Sequence, residues 1–270
     1  MALSMKDLKV VKAVLPPRLV IYGPPGLGKT TLAAEFPNAV FLQVEDGTPG
    51  DLSLMSFGHL SSYDDVMQAL IALYSEANEA KTVVLDSLDK LEPLVWAKCC
   101  ADNNWKTIED PGYGKGYTMT DSYWQNLIAG LNALRRERGM NIVMLAHADI
   151  GTFNSPTSAS YSRFDIRLHK RALAIVQDEA DAILLINQDA TIKTEELGFN
   201  KERAHAEGGG TRWIYCEGRP AFVSKNRYGM PERIQFVKGK GYAALAPFFP
   251  AQELPKAAPA TPATLSEKAA

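Results

Sequence analysis

The chain has 270 residues, 46% hydrophobic and 22% charged, with a formal net charge of −2. This is the composition of an ordinary globular protein of one large or two small domains. The charge excludes a global basic signal for nucleic acid, so any such contact must come from a local patch. No apolar run reaches the length of a membrane span, and the opening MALSMKDLKVVKAV lacks the long apolar core of a signal peptide. Cys99, Cys100 and Cys216 lack the spacing of a zinc site or a disulfide framework.

RLVIYG (18–23), a short apolar run ending in glycine, predicts a buried strand, and GKTTLAAEF starts a helix. AVFLQVED (39–46) predicts a second strand. Val66, Leu70, Leu73 and Ala77 then fall at helical spacing, with Ser62 as N-cap and Asp65 three residues on. TVVLD (82–86) is a third strand, and Trp124, Leu127, Ile128, Leu131 and Leu134 mark a helix closed by Gly139. NIVMLAH (141–147) is a fourth strand, RLHKRALAIVQDEA (167–180) a helix, and DAILLIN (181–187) a fifth strand. TIKTEEL, TRWIYCE, PAFVSKN and RIQFV read as shorter antiparallel strands, with the glycines at 208–210 as a mobile loop tip. Strands without alternation, separated by helices, predict an α/β fold: a mainly parallel sheet flanked by helices, with a C-terminal antiparallel extension. The expected organisation is an N-terminal extension (1–17), a core (18–242) and an Ala/Pro-rich tail (243–270) too poor in apolar surface to fold alone. That tail reads as linker, with Phe248 and Phe249 as a candidate docking anchor.

GPPGLGKT (23–30) fits G-x-x-x-x-G-K-[ST] in full, between a predicted strand and a predicted helix. The glycines let the backbone N–H groups turn toward phosphate oxygens. Gly23, Pro24, Pro25, Gly26, Leu27, Gly28, Lys29, Thr30 and Thr31 are therefore the candidate ATP-binding set. Lys29 is expected to reach the β- and γ-phosphates and Thr30 to ligate Mg²⁺, with Asp86, at the end of the third strand, as the second metal partner. VVLDSLDK (83–90) has Ser87 where many ATP-driven machines carry a water-activating glutamate. The second strand ends in QVEDG, which places Glu45 at a carboxyl strand end, where ligands bind in open parallel sheets. Glu45 is thus the candidate general base, a helix cap or turn acid being the plainer alternative.

A glutamate on the second strand with DS rather than DE at the later acidic strand resembles the RecA/DnaB branch of the P-loop ATPases. MLAHAD (144–149) places His147 at the fourth strand's end, and the resemblance implies a γ-phosphate sensor there; a structural histidine is the alternative. SKNRYGMP (224–231) resembles the K-x-R-x-G segment of DnaB-type helicases. It implies that Lys225 and Arg227 complete a neighbouring subunit's ATP site, and hence a homo-oligomer; an ordinary basic strand end is the alternative. The whole combination, with the L-H-K-R-A…D-E-A-D-A helix and RPAFVSKNRYGMP, is similar to phage RecA-core proteins, the Sak-four single-strand annealing group among them. That resemblance implies Mg²⁺-dependent ATP hydrolysis, single-stranded DNA and a single-strand binding protein as partners, and phage recombination in a bacterial cytoplasm. The large extra terminal domains of full RecA have no counterpart in the sequence.

Two stretches are candidates for DNA. DIGTFNSPTSASYSRFDIRLHKR (149–171) interleaves Phe153, Tyr161 and Phe164 with Arg163, Arg167, Lys170 and Arg171, a mixture suited to stacking bases and neutralising phosphates. It reads as a flexible loop, and a lid over ATP is its alternative role. NNWKTIEDPGYGKGYTMTD (103–121) is the weaker candidate because it also carries acids. Three rival functions share the same core: a ring-shaped helicase or loader motor, an ATP-clamped DNA-binding module with little turnover, and a small-molecule kinase.

Overall fold

The computed structural model describes residues 15–47, 50–155, 159–196 and 202–250. Its strands are β1 (Arg18–Gly23), β2 (Ala39–Gln43), β3 (Met55–His59), β4 (Thr82–Asp86), β5 (Asn141–Phe153), β6 (Tyr161–Ile166), β7 (Ala182–Glu196), β8 (Glu202–Tyr215), β9 (Lys225–Asn226) and β10 (Arg233–Phe236). Its helices are α1 (Lys29–Ala34), α2 (Tyr63–Ser75), α3 (Leu88–Asn103), α4 (Lys115–Glu137), α5 (Lys170–Glu179) and α6 (Gly241–Leu245). The sheet order is β10-β8-β7-β1-β5-β4-β2-β3, with β6 on β5 and β9 on β7. The strands from β7 to β3 along this path are mutually parallel, whereas β8, β9 and β10 join antiparallel.

Alternation along the strands divides the core between the two faces of the sheet. Val20, Tyr22, Val83, Leu85, Ile142 and Met144 face the layer made by α2 to α5. Leu19, Ile21, Val84, Val143 and Leu145 face α1 and the C-terminal segment. Leu131 and Trp124 of α4 are buried in the first layer. Truncating a fully packed leucine of this kind costs about 2–5 kcal/mol. Ser62 and Asp65 form a reciprocal capping box that starts α2.

Several elements differ from the sequence reading. MSFGH forms the edge strand β3, exposed at every residue, so no buried face marked it in the sequence. TIKTEE continues β7 without a break, and the glycines at 208–210 lie inside β8 rather than at a loop tip. The β7–β8 ladder pairs Ala190 with Gly208 and Gln188 with Arg212, and in the bulge between these pairs Gly210 takes a left-handed φ of 73°. The turn between β7 and β8 lies outside the described residues. PAFVSKN supplies only the two-residue β9 and isolated bridges at Phe222. The boundary expected at residue 242 falls inside α6. Leu245 is fully buried, and Tyr242, Phe248 and Phe249 pack on the second core layer. Phe248 and Phe249 are thus core-packing residues of this chain, Phe249 lying 5.5 Å from the Tyr228 ring, rather than a free docking anchor. Residues 1–14 and 251–270 lie outside the described residues.

Candidate functional site

The phosphate-loop motif begins where the fully buried β1 ends. Only glycine fits at Gly23, because a Cβ there would lie 2.2 Å from the carbonyl oxygen of Ile186. Gly28 takes a left-handed φ of 96° at the start of α1. Lys29 turns its ammonium back into the loop and donates to the carbonyls of Gly23 (3.0 Å) and Pro24 (3.1 Å). Burial pulls that ammonium below the usual lysine range, opposed by the charges of Asp86, Asp89 and Glu45. Thr30 Oγ1 donates to Asp86 Oδ2 at 3.0 Å. Burial pushes the Asp86 carboxyl up, with the Glu45 charge adding to it and the Thr30 hydrogen bond opposing it. A hydroxyl beside a desolvated carboxylate is a donor set that suits a hard cation. No cage of three or more His, Cys, Asp or Glu exists among the described residues. The Thr30 hydroxyl and the Asp86 carboxylate are the one or two protein oxygens that Mg²⁺ takes beside substrate phosphates.

The sheet order sets β5 between β1 and β4, so Asp86 stands across the cleft from the loop. The Val44 N–H donates to the carbonyl of Asp86 at 2.8 Å, tying the end of β2 to β4 and presenting Glu45 just beyond it. Ser87 Oγ donates to Glu45 Oε2 at 3.1 Å. Thus Ser87, which stands where many ATP-driven machines carry a glutamate, holds the carboxylate of Glu45, two residues beyond the observed end of β2 at Gln43 rather than on the strand expected to run to residue 46. His147 Nδ1 lies 4.0 Å from Glu45 and 2.9 Å from Asp89. Lys29, Thr30, Thr31, Glu45, Asp86 and His147 line one cleft of about 520 Å³. A larger groove of about 640 Å³ lies between α2 and β3, lined by none of these residues.

Sequence reasoning missed three members of this neighbourhood. Asp89 follows Asp86 in the same DSLD stretch and was legible only as a helix acid. Arg212 and Lys238 also line the cleft, from the antiparallel extension. Arg212 lies on β8 and Lys238 just beyond β10, segments that carry no motif, and only the sheet order brings them near residue 29.

Lys225 and Arg227 are not brought to this chain's phosphate loop. β9 pairs with Ala182 and Ile183, at the amino end of β7, whereas the loop follows the carboxyl end of β1. Lys225 Nζ donates to the carbonyls of Gln177 (2.7 Å) and Asp178 (3.2 Å), and Arg227 Nη1 to Asp181 Oδ1 (3.3 Å).

The stretch expected as a flexible loop after His147 is instead largely an antiparallel hairpin of β5 and β6, paired from Ala148–Ile166 to Phe153–Tyr161. Opposed residues share a face. Phe153 and Tyr161 meet at 5.5 Å, and the Arg163 guanidinium sits 4.2 Å over the Phe153 ring. The other candidates separate from them. Phe164 packs against the core, and Arg167 Nη2 donates to the carbonyl of Ala148. Lys170 opens α5, and Arg171 pairs with Asp121. The hydrogen-bonded hairpin replaces the expected loop because β5 continues six residues past His147 and offers β6 a full ladder. In the weaker stretch, residues from Lys115 onward belong to α4, and Tyr117 stacks on His169 at 4.4 Å.

Residues 15–228 match the family model AAA_24, described as an AAA domain. The chain belongs to this AAA domain family. The matched span holds the phosphate loop, Glu45, Asp86, His147, Lys225 and Arg227, and ends before β10 and α6. No curated protein matches the sequence. Among solved structures, the chain is similar to one titled "Crystal structure of the RadB recombinase", at 14% identity and a TM-score of 0.46, covering 84% of this chain and 90% of that one. The α/β class expected from the sequence is the one observed, a mostly parallel sheet flanked by helices with antiparallel strands on its C-terminal side. Among the described residues of this AAA domain protein, no helix is long and apolar enough to cross a membrane.

Proposed function

We propose that this AAA domain protein binds ATP with Mg²⁺, hydrolyses it, and uses the cycle to act on single-stranded DNA in phage recombination or strand annealing. The observation that carries the reading is the convergence of Lys29, Thr30, Asp86 and Glu45 on one cleft. Lys29 places its charge among the phosphates. Thr30 and Asp86 would hold Mg²⁺, which supplies positive charge to phosphate oxygens when bound. Glu45, fixed by the Ser87 hydroxyl, presents a carboxylate that orients a water and accepts its proton.

Coupling to DNA is supported by continuity of the backbone. His147 lies on β5, whose far end carries Phe153, and the Arg167 N–H donates to the His147 carbonyl at 2.9 Å. A shift at His147 therefore moves the hairpin that carries Phe153, Tyr161 and Arg163. Those residues stack on bases and meet phosphates in this reading. Lys225 and Arg227, at the opposite end of the sheet from their own loop, reach a neighbour's nucleotide in a homo-oligomer. The setting is the cytoplasm of a bacterial host, with a single-strand binding protein as a further partner.

The decisive experiment is ATP hydrolysis with and without single-stranded DNA, using Glu45→Gln as the control. DNA-stimulated turnover that the variant loses supports the reading. Nucleotide binding with negligible turnover in both conditions would favour an ATP-clamped DNA-binding module instead.

A further inference from the structure

Arg212 stands against the phosphate loop from the side opposite Asp86. Its position follows from strand phase. Ile214 and Cys216 of the same segment are buried in the layer with Leu32 and Ala33 of α1. Two residues earlier on that face, Arg212 lies at the carboxyl end of the parallel sheet, opposed by Gln188 of β7 and Phe236 of β10. It lines the cleft with Lys29, Thr30 and Thr31, and the one hydrogen bond of its side chain among the described residues is a long one, 3.4 Å to the carbonyl of Leu27. Gly28 allows this approach, since a Cβ there would lie 2.9 Å from the Phe236 ring and 3.3 Å from the Arg212 guanidinium. Lys238, the other cation that the extension brings to this cleft, is already paired with Asp51.

The two sides of the loop differ in chemistry. Asp86, Glu45 and His147, the groups suited to metal and water, come from β4, the end of β2 and β5, all on one side of β1. β7 and β8 lie on the other side. A nucleotide whose terminal phosphate faces Asp86 and Glu45 therefore turns its α-phosphate and ribose toward Arg212. We propose that Arg212 is a nucleotide-binding residue that takes the α-phosphate, so that the antiparallel extension forms one wall of the phosphate site. A planar fork of donors suits that oxygen pair better than an ammonium does. The inference rests on the ATP-binding reading above and adds a residue that the phosphate-loop motif does not contain.

The test is equilibrium binding of fluorescently labelled ATP and ADP to the full chain and to Arg212→Gln, over a range of salt concentrations, with folding checked by circular dichroism. The expected result is a loss of roughly tenfold or more, equal for ATP and ADP, and a shallower salt dependence in the variant. Unchanged affinities would overturn the proposal. A loss confined to ATP would also overturn it, by placing the cation on the γ-phosphate, and so would weaker binding with an unaltered salt dependence. Failure of the unmodified chain to bind either nucleotide would sink the ATP reading itself. Intact binding by that chain with an indifferent variant would sink only the role of Arg212.

Discussion

Asp89 holds His147 at two points, accepting the backbone N–H at 2.9 Å on Oδ1 and meeting Nδ1 at 2.9 Å with Oδ2. Burial works to raise the Asp89 carboxyl, but the hydrogen bonds from His147 and Ser87 outweigh it and keep it below the usual range. An ionised Asp89 leaves the proton on Nδ1 and makes Nε2 the free nitrogen of the ring. Asp89→Asn would leave one acceptor oxygen for the two groups of His147 and put an NH2 donor in place of the other, so the carboxylate that fixes this tautomer is lost. The expected outcome is a roughly tenfold fall in DNA-stimulated turnover, the usual scale of a lost charge-assisted hydrogen bond, with ATP affinity nearly kept. Steady-state hydrolysis with and without DNA checks it, and undiminished stimulation would count against a coupling role for His147.

Glu45→Gln keeps the hydrogen bond from Ser87 and removes the base. Turnover should fall by about 10²–10⁴-fold while ATP still binds. Lys29→Ala should instead abolish binding. Isothermal titration beside a phosphate-release assay separates the two, and a Glu45→Gln protein that hydrolyses normally would return Glu45 to a structural turn acid.

Arg227 and Lys225 lie away from their own loop, so the trans arrangement predicts complementation. Arg227→Ala chains and Glu45→Gln chains, each inactive alone, should regain a fraction of turnover when mixed. The sites regained would pair an intact Glu45 with an intact Arg227 from its neighbour. No recovery, under conditions where both variants are shown to co-assemble, would argue that Arg227 serves only its ion pair with Asp181.

The hairpin cluster predicts that Phe153→Ala and Arg163→Ala each weaken single-stranded DNA binding while ATP binding persists. Loss of one stacked base is worth about 1–3 kcal/mol, and loss of the arginine should flatten the salt dependence. Filter-binding or anisotropy titrations read both quantities. Unaltered affinity and slope would move DNA contact elsewhere on the molecule.

Glu92, buried on α3, accepts the His169 N–H with both carboxylate oxygens, at 3.0 and 3.1 Å. Burial pushes its carboxyl up to about 7 from an ordinary 4.5, with the backbone bond from His169 opposing and the Asp89 charge adding. The folded state thus holds a proton that the unfolded chain releases between these values. Stability from this group is full below about pH 4.5 and is lost as pH rises to about 7, by about 3 kcal/mol. Glu92→Gln keeps an acceptor for His169 and lacks the titration. Its melting temperature should gain on the unmodified protein between pH 5 and pH 8, and parallel melting curves across that range would refute the assignment.

The sequence by itself determined the phosphate loop, because a run of Gly and Pro closing with Lys29 and Thr30 meets local backbone demands that few other residues satisfy. It also determined the central parallel strands and the helix over Trp124–Leu134, where apolar period and length agree. Glu45 and Asp86 were legible as acids at strand ends. Their meeting was not, because β5, more than fifty residues beyond Asp86 in the chain, inserts between β1 and β4 and sets the width of the cleft. β3 was not legible because its alternation, Met55 and Phe57 about Ser56, is too short to stand out and neither apolar side chain is buried, and the β5–β6 hairpin was not because Ser, Thr and Gly give it the composition of a loop. Arg212 and Asp89 entered the site through strand order and helix phase alone. Contacts between residues far apart in sequence depend on which strands become neighbours, and that choice is made by burial on both faces of the sheet rather than by any local motif.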